Sequence, residues 1–350
     1  MSQNQFEIVD KVKLKNTCFV IAEVGVNHCG RVDLAKKLIK AASDTGADAV
    51  KFQTWVTEKL VHRDAELATY QKKNQRKSKS QFDMLKSLEL NRVAYQQLKS
   101  FAKQCGIIFL STPDEEDSAD FLDSLGVPMF KIGSGEVTNL PFLAYIARKM
   151  RPIILSTGMS TLGEVEKAVQ AIEETGNRRL TILHCVSNYP ADPKDCNLRA
   201  MLSLKQAFGY PVGYSDHCLG SSIALASVAL GATVIEKHLT LDRRMDGPDH
   251  SASMEPEEFA VMVRGIREVE SALGDGRKIP THSELKIKNV VQKSLVTARA
   301  LRAGRILAME DLTFLRTSGG MPISQLDSVL GRKVKRSLLS STPIAPGDLC

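Results

Sequence analysis

The chain has 350 residues, 43% hydrophobic and 25% charged, with a formal net charge of +7 and seven cysteines. This is the composition of a folded globular protein rather than a disordered one, and the length exceeds one ordinary domain. No apolar run reaches the ~18 residues of a membrane span, and the cysteines lack CxxC pairing, which excludes a zinc ribbon and points to reduced thiols in the cytosol. Met1 to Lys15 alternates polar and apolar residues without a signal-peptide core, so a cytoplasmic protein without membrane attachment is expected.

Eight short apolar runs then follow in order: Phe19–Val24, Ala49–Phe52, Ile107–Leu110, Met129–Ile132, Ile153–Leu155, Thr181–Leu183, Val212–Tyr214 and Thr233–Ile235. Between them, Val32–Thr45, Glu116–Leu125, Gly163–Thr175 and Ser221–Leu230 carry apolar residues at spacings of three and four, the mark of amphipathic helices. Eight such alternations predict an α/β chain folded as a (β/α)8 TIM barrel rather than a doubly wound sheet. The polar stretch Glu58–Ser80 is long for a simple connection and reads as an inserted loop over the barrel mouth. Glu257–Leu273 reads as the last barrel helix, and Gly274–Pro280 as a linker, giving a barrel domain over residues 1–280 and a small domain over 281–350. In the small domain, Ile306–Leu312 and Pro343–Leu349 resemble each other as two halves of a β module.

In a TIM barrel the chemistry sits at the C-terminal ends of the strands. Polar residues do fall at the ends of these runs: Glu23, Asn27 and His28; Lys51 and Gln53; Ser111 and Thr112; Lys131, Ser134 and Glu136; Ser156 and Thr157; His184, Ser187, Asn188 and Tyr189; Ser215, Asp216 and His217; Glu236, Lys237 and His238. Each alone has a bland reading, as a helix cap, an edge lysine or a structural histidine. Together they differ, because two lysines inside a closed barrel need anionic partners. Lysines and hydroxyls converging on one mouth suit a substrate bearing phosphate and carboxylate. His217 and His238, from adjacent runs, either share one divalent metal or serve as separate hydrogen-bonding residues.

As a set, Phe19–His28, Val50–Gln53, Lys131–Glu136, Leu155–Met159, Tyr214–His217, Glu236–His238 and Gly247–His250 with Ser253 resemble the bacterial sialic acid synthases, in order along almost the whole chain. The tail from about Ser283 resembles that family's antifreeze-protein-like (SAF) domain, with Leu330-Gly331-Arg332 as a further match. The resemblance implies condensation of phosphoenolpyruvate with N-acetylmannosamine and water to N-acetylneuraminate and phosphate. The alternative is a legionaminic or pseudaminic acid synthase acting on a 2,4-diacetamido hexose. It further implies Mn²⁺ or Mg²⁺ on His217 and His238, and a domain-swapped homodimer. Lys51, Lys131, Ser134, Ser156 and Ser215, with Thr112 near them, would hold phosphoenolpyruvate. Glu23 would assist proton transfer. Gln53, Glu136, Ser187, Tyr189 and Asp249 would meet the sugar or metal-bound water, and Arg316 the N-acetyl group.

Three departures from the family pattern bear on the sugar: Asp114 follows Pro113 where an aromatic is common, Thr317-Ser318-Gly319 replaces the turn after Arg316, and Ser187 stands where some members have Asn. Three other classes compete. The tail suggests a non-enzymatic carbohydrate- or ice-binding protein, against which the loaded barrel mouth argues. A barrel lysine could form a Schiff base with a carbonyl substrate. From Ser283 onward, 11 Lys and Arg against 5 Asp and Glu give +6, which could serve nucleic acid, although no aromatic interleaving or nucleic-acid motif accompanies it. No nucleic-acid partner is therefore expected.

Overall fold

The computed structural model of the chain describes residues 17–67 and 80–350. The readings of Met1–Lys15 and of the middle of the Glu58–Ser80 insertion lie outside the described residues. The chain forms two compact units, Met1–Gly274 and Asp275–Cys350.

The first unit is the expected barrel. Its strands are β1 (Phe19–Gly25), β2 (Ala49–Thr54), β3 (Ile108–Pro113), β4 (Phe130–Ile132), β5 (Ile153–Ser156), β6 (Leu180–Cys185), β7 (Val212–Asp216) and β8 (Val234–His238). They form one sheet in the order β3-β2-β1-β8-β7-β6-β5-β4, with every hydrogen-bonded pair parallel. β3 and β4 lie against each other where the ring closes. The period-two pleat sorts the side chains. Phe19, Ile21, Ala49, Leu110, Met129, Ile154, Leu183 and Val234 fill the barrel interior as one apolar cluster. Their neighbours Val20, Ala22, Val50, Phe52, Phe109, Phe130, Leu155, Ile182, Tyr214 and Ile235 pack outward against the helices.

The helices begin and end where local chemistry permits. Helix α1 (Val32–Asp44) follows β1 and buries Leu34, Ala35, Leu38, Ile39 and Ala42. Helices α2 (Thr57–Leu60) and α3 (Gln81–Leu88) flank the insertion, and Ser80 caps α3 by accepting from the Asp83 amide. Helix α4 (Arg92–Gln104) starts at Asn91, which accepts from the Ala94 amide at 2.9 Å. Helix α5 (Glu116–Leu125) follows β3, α6 (Leu140–Ala147) β4 and α7 (Leu162–Glu173) β5, the last opened by a reciprocal cap between Thr161 and Glu164. Helices α8 (Ala200–Phe208), α9 (Ser222–Ala229) and α10 (Pro256–Leu273) complete the outer layer. Among the described residues no helix is long and apolar enough to cross a membrane.

In the second unit, α11 (His282–Val291) precedes β9 (Lys293–Thr297), which pairs antiparallel with β10 (Leu312–Arg316). Isolated bridges such as Val296–Pro343, Leu301–Leu338 and Ile306–Lys333 tie the rest around Leu295, Leu307, Val334 and Ile344. The two resembling segments adopt the same turn. Asp311 accepts from the Ala308 amide at 3.1 Å, and Asp348 from the Ala345 amide at 2.9 Å, each closing a single 3₁₀ turn.

Candidate active site

Continuing the inward alternation past the apolar floor brings charged and polar groups to one opening. A cavity of about 540 Å³ is lined there by Lys51, Gln53, Thr112, Lys131, Ser134, Ser156, Ser187, Tyr189, Ser215, His217 and His238, together with Glu236, Asp114, Gln81, Met159 and Cys185. A second cavity of about 550 Å³ opens at the other end of the barrel, where Phe19, Ile154, Leu180 and Val234 begin their strands. It contains none of these groups.

The centre of the mouth is a run of ion pairs. Lys51 Nζ lies 2.8 Å from Glu23 Oε2 and 3.8 Å from Glu236 Oε2, and donates to Thr112 Oγ1 at 2.9 Å. Lys131 Nζ lies 3.3 Å from Glu236 Oε1, which also accepts from Ser215 Oγ at 3.1 Å. Gln53 Nε2 donates to Glu23 Oε1 at 3.2 Å. Gly25 turns the chain at the end of β1 with φ +52, and a β-carbon there would stand 3.1 Å from Glu23 Oε1. Every charge in this run is buried, so protonation is set by competition. Burial pushes Glu236 up, but Lys131, Lys51 and His238 outweigh it and hold it down at about 2. Burial dominates at Glu23, which is pushed up to about 8 against the pull of Lys51. Of the two carboxyls flanking Lys51, Glu236 is therefore the anion and Glu23 the acid. With Glu23 holding a proton, the anionic partner of Lys51 is Glu236, at 3.8 Å.

His217 and His238 stand with ring centroids 5.6 Å apart, and Tyr189 packs on both. Burial lowers both imidazoles, so each is neutral at pH 7. His217 Nδ1 lies 2.6 Å from the Val186 carbonyl oxygen; as the donor it leaves Nε2 with its lone pair, the tautomer of a metal ligand. His238 Nδ1 is buried with no hydrogen-bond partner among the described residues. Two neutral imidazoles facing one polar cavity fit a divalent cation with two protein nitrogens. Among the described residues no group of three or more His, Cys, Asp and Glu could hold a metal, so other positions would fall to oxygens of water or substrate.

On the far wall, the Gly158 amide donates to Ser134 Oγ at 2.9 Å. A β-carbon at Gly158 would stand 2.3 Å from Ser187 Oγ, so only glycine brings these hydroxyls together. Ser156 Oγ is buried without a partner among the described residues. Unpartnered buried hydroxyls on a cavity wall are pre-set donors for a ligand.

Asp249 and Glu136 are not among the residues lining this cavity. Asp249 is buried in the loop after β8, pushed up to about 6 by burial against the pull of Lys51. Glu136 is half-buried on the turn after β4 and accepts from Asn139 at 2.7 Å. Arg316 ends β10 in the second unit and is exposed. Three strand-end residues face outward. Lys237 is buried against Asp216 at 2.7 Å. His184 Nε2 meets the Cys196 carbonyl at 2.8 Å. Glu236, which bridges both lysines, is absent from the residues that the motifs assign a role. Its signal was available, since it shares the inward face of β8 with His238. Asp114 lines the mouth as well, pushed up to about 7 by burial.

The NeuB family profile matches residues 38–278, and the SAF domain profile matches residues 292–349. The chain is 46% identical over 332 residues to the N,N'-diacetyllegionaminic acid synthase of Legionella pneumophila, covering 94% of this chain and 93% of that one. It is 48% identical over 315 residues to the enzyme of the same name from Campylobacter jejuni, covering 89% of this chain and 94% of the relative. Among solved structures, the N-acetylneuraminic acid (sialic acid) synthetase of Leptospira borgpetersenii, in complex with citrate, superposes with a TM-score of 0.70 at 34% identity, covering 79% of this chain and 93% of the other.

Proposed function

From the premise that the chain belongs to the NeuB family, we propose that it condenses phosphoenolpyruvate with the open-chain aldehyde of a 2,4-diacetamido hexose, giving a legionaminic-type nine-carbon acid and phosphate. The observation that carries the choice of sugar is the 46% and 48% identity to two N,N'-diacetyllegionaminic acid synthases, against 34% to the N-acetylneuraminic acid synthetase. N-acetylmannosamine, the sugar first expected from the motifs, becomes the second substrate to test.

Lys51, Lys131, Ser134, Ser156 and Ser215 bind the phosphate and carboxylate of phosphoenolpyruvate, with Thr112 orienting Lys51. Its methylene carbon attacks the aldehyde carbon and forms the new bond. Glu23, held as an acid, protonates the aldehyde oxygen as its charge develops. Glu236, the anion between the lysines, stabilises positive charge at the adjacent carbon. Water adds to that carbon, and phosphate leaves by carbon–oxygen cleavage. Gln53, Glu136, Ser187, Tyr189 and Asp249 orient the sugar. His217 and His238 would hold Mn²⁺ or Mg²⁺, which when bound supplies Lewis-acid and template chemistry.

The chain works as a domain-swapped homodimer on this reading, with Arg316 serving the N-acetyl group in the other subunit. Exposed Ile279, Leu285, Ile287, Val290 and Val291 support an apolar partner surface along that segment. The test is phosphate release with 2,4-diacetamido hexoses and with N-acetylmannosamine. A kcat/KM at least tenfold higher for a diacetamido sugar is expected, and a preference for N-acetylmannosamine would overturn the assignment. A chelator should abolish turnover and Mn²⁺ restore it; full activity after exhaustive chelation would remove the metal.

A further inference from the structure

Met159 combines three features that no role given above absorbs. Its backbone is left-handed, with φ +64, a conformation that costs a residue with a β-carbon. Both sides hold it there. Gly158 before it is clamped by Ser134 Oγ, and Thr161 after it is locked into the reciprocal cap of α7. Its side chain is 75% exposed yet lines the mouth cavity. Strain that the surroundings over-determine persists where it serves function. Here it holds a thioether side chain at the edge of a polar cavity, as the one large aliphatic side chain in that lining among the described residues.

An apolar group held in water gains only when a ligand covers it. Phosphate and carboxylate groups offer it no apolar surface. On the sugar, the acyl methyls do. We infer that Met159 is a specificity-determining residue whose thioether receives the methyl of an N-acyl substituent on the aldehyde substrate. This rests on the reading that the aldehyde is N-acylated. Methionine suits the task because its unbranched, polarisable side chain adapts to a small apolar partner.

The test compares kcat/KM for N-acetyl and N-formyl versions of the same aldehyde, in the wild type, Met159→Ala and Met159→Leu. The acetyl sugar should be preferred by the wild type by roughly fourfold, the value of one buried methylene. Met159→Ala should bring the ratio to about one with the KM for phosphoenolpyruvate unchanged, and Met159→Leu should restore it. A Met159→Ala ratio equal to the wild type's would overturn the inference. So would a variant that changes only oligomeric state or thermal midpoint, since the residue would then belong to a covering interface. An enzyme that ignores diacetamido sugars but uses N-acetylmannosamine refutes the sugar assignment alone. The same ratio on N-acetyl- and N-formylmannosamine then still decides the role of Met159.

Discussion

The barrel mouth and the small unit both bury carboxyls beside cations, with opposite results. In the small unit Asp311 has no solvent exposure and is saturated: the Ala308 amide, Arg299 Nε and Nη2 and Arg305 Nε all donate to it within 3.1 Å. Burial alone would raise it, but those bonds outweigh burial and hold it below its ordinary value. At the mouth, Glu236 Oε2, Ser156 Oγ and His238 Nδ1 lack hydrogen-bond partners among the described residues, and Glu23 is pushed up to about 8 by burial. A carboxylate with every lone pair satisfied is structural. A cluster left incomplete in a cavity is arranged for a ligand, at a cost in stability.

That contrast can be broken most sharply at Lys131. Lys131→Met should lower kcat/KM by about 10³, or ~4 kcal/mol of transition-state stabilisation, while the chain still folds. A variant with more than a tenth of the wild-type rate would move Lys131 out of the machinery. Asp311→Ala should do the reverse. It should cost about 2–3 kcal/mol of small-unit stability, read as lost amide protection at Leu295 and Thr297, because four donors lose their acceptor. Unchanged protection would show that the buried carboxylate is not what holds that unit.

The pH response should separate the regions by sign. Glu23 is raised from 4.5 to about 8, so the folded barrel holds an extra proton across that window. Its contribution is complete below about 4.5 and is lost as pH rises toward 8, by at most ~1.4 kcal/mol per unit. Asp114 and Asp249, raised to about 7 and 6, act in the same direction. Asp311 is lowered from 3.8, so its contribution is present above that value and is lost only as pH falls through its folded value. Trp55, the chain's one tryptophan, lies in the barrel and reports its unfolding alone. The imidazoles of His28, His184, His217, His238 and His250 are lowered by burial, so up to about pH 6.5 they add stability as pH rises and oppose the carboxyls. Urea midpoints from Trp55 fluorescence should therefore fall only between about pH 7 and 8, while amide protection in the small unit stays level. A flat barrel profile would mean that Glu23 is already ionised. The smallest effect is expected at Arg336, which pairs with Asp348 at 2.8 Å but is largely exposed. Arg336→Ala should change stability by less than about 1 kcal/mol.

Much of this was legible in the chain itself. The eight alternations give the barrel, because each apolar run is too short to stand alone and each intervening helix has one face to bury. The repeated Ala-x-x-Asp turns at Ala308–Asp311 and Ala345–Asp348 were visible as a faint likeness. The strand-end residues were visible too, but not their directions. Lys237 and Asp216 read as mouth residues beside His238 and His217, and they are a buried pair on the outer face of the barrel wall.

The sequence by itself determined the element order, the family and the residue types gathered at one end. The tertiary structure alone decided which of them share a proton and which share a charge. Lys131 on β4 and Glu236 on β8 meet only because the sheet closes into a ring, and the pleat then turns alternate residues inward. Burial there is a property of the closed barrel rather than of any segment. It makes Glu23 an acid and two imidazoles neutral, while the cations beside Glu236 keep it an anion against burial.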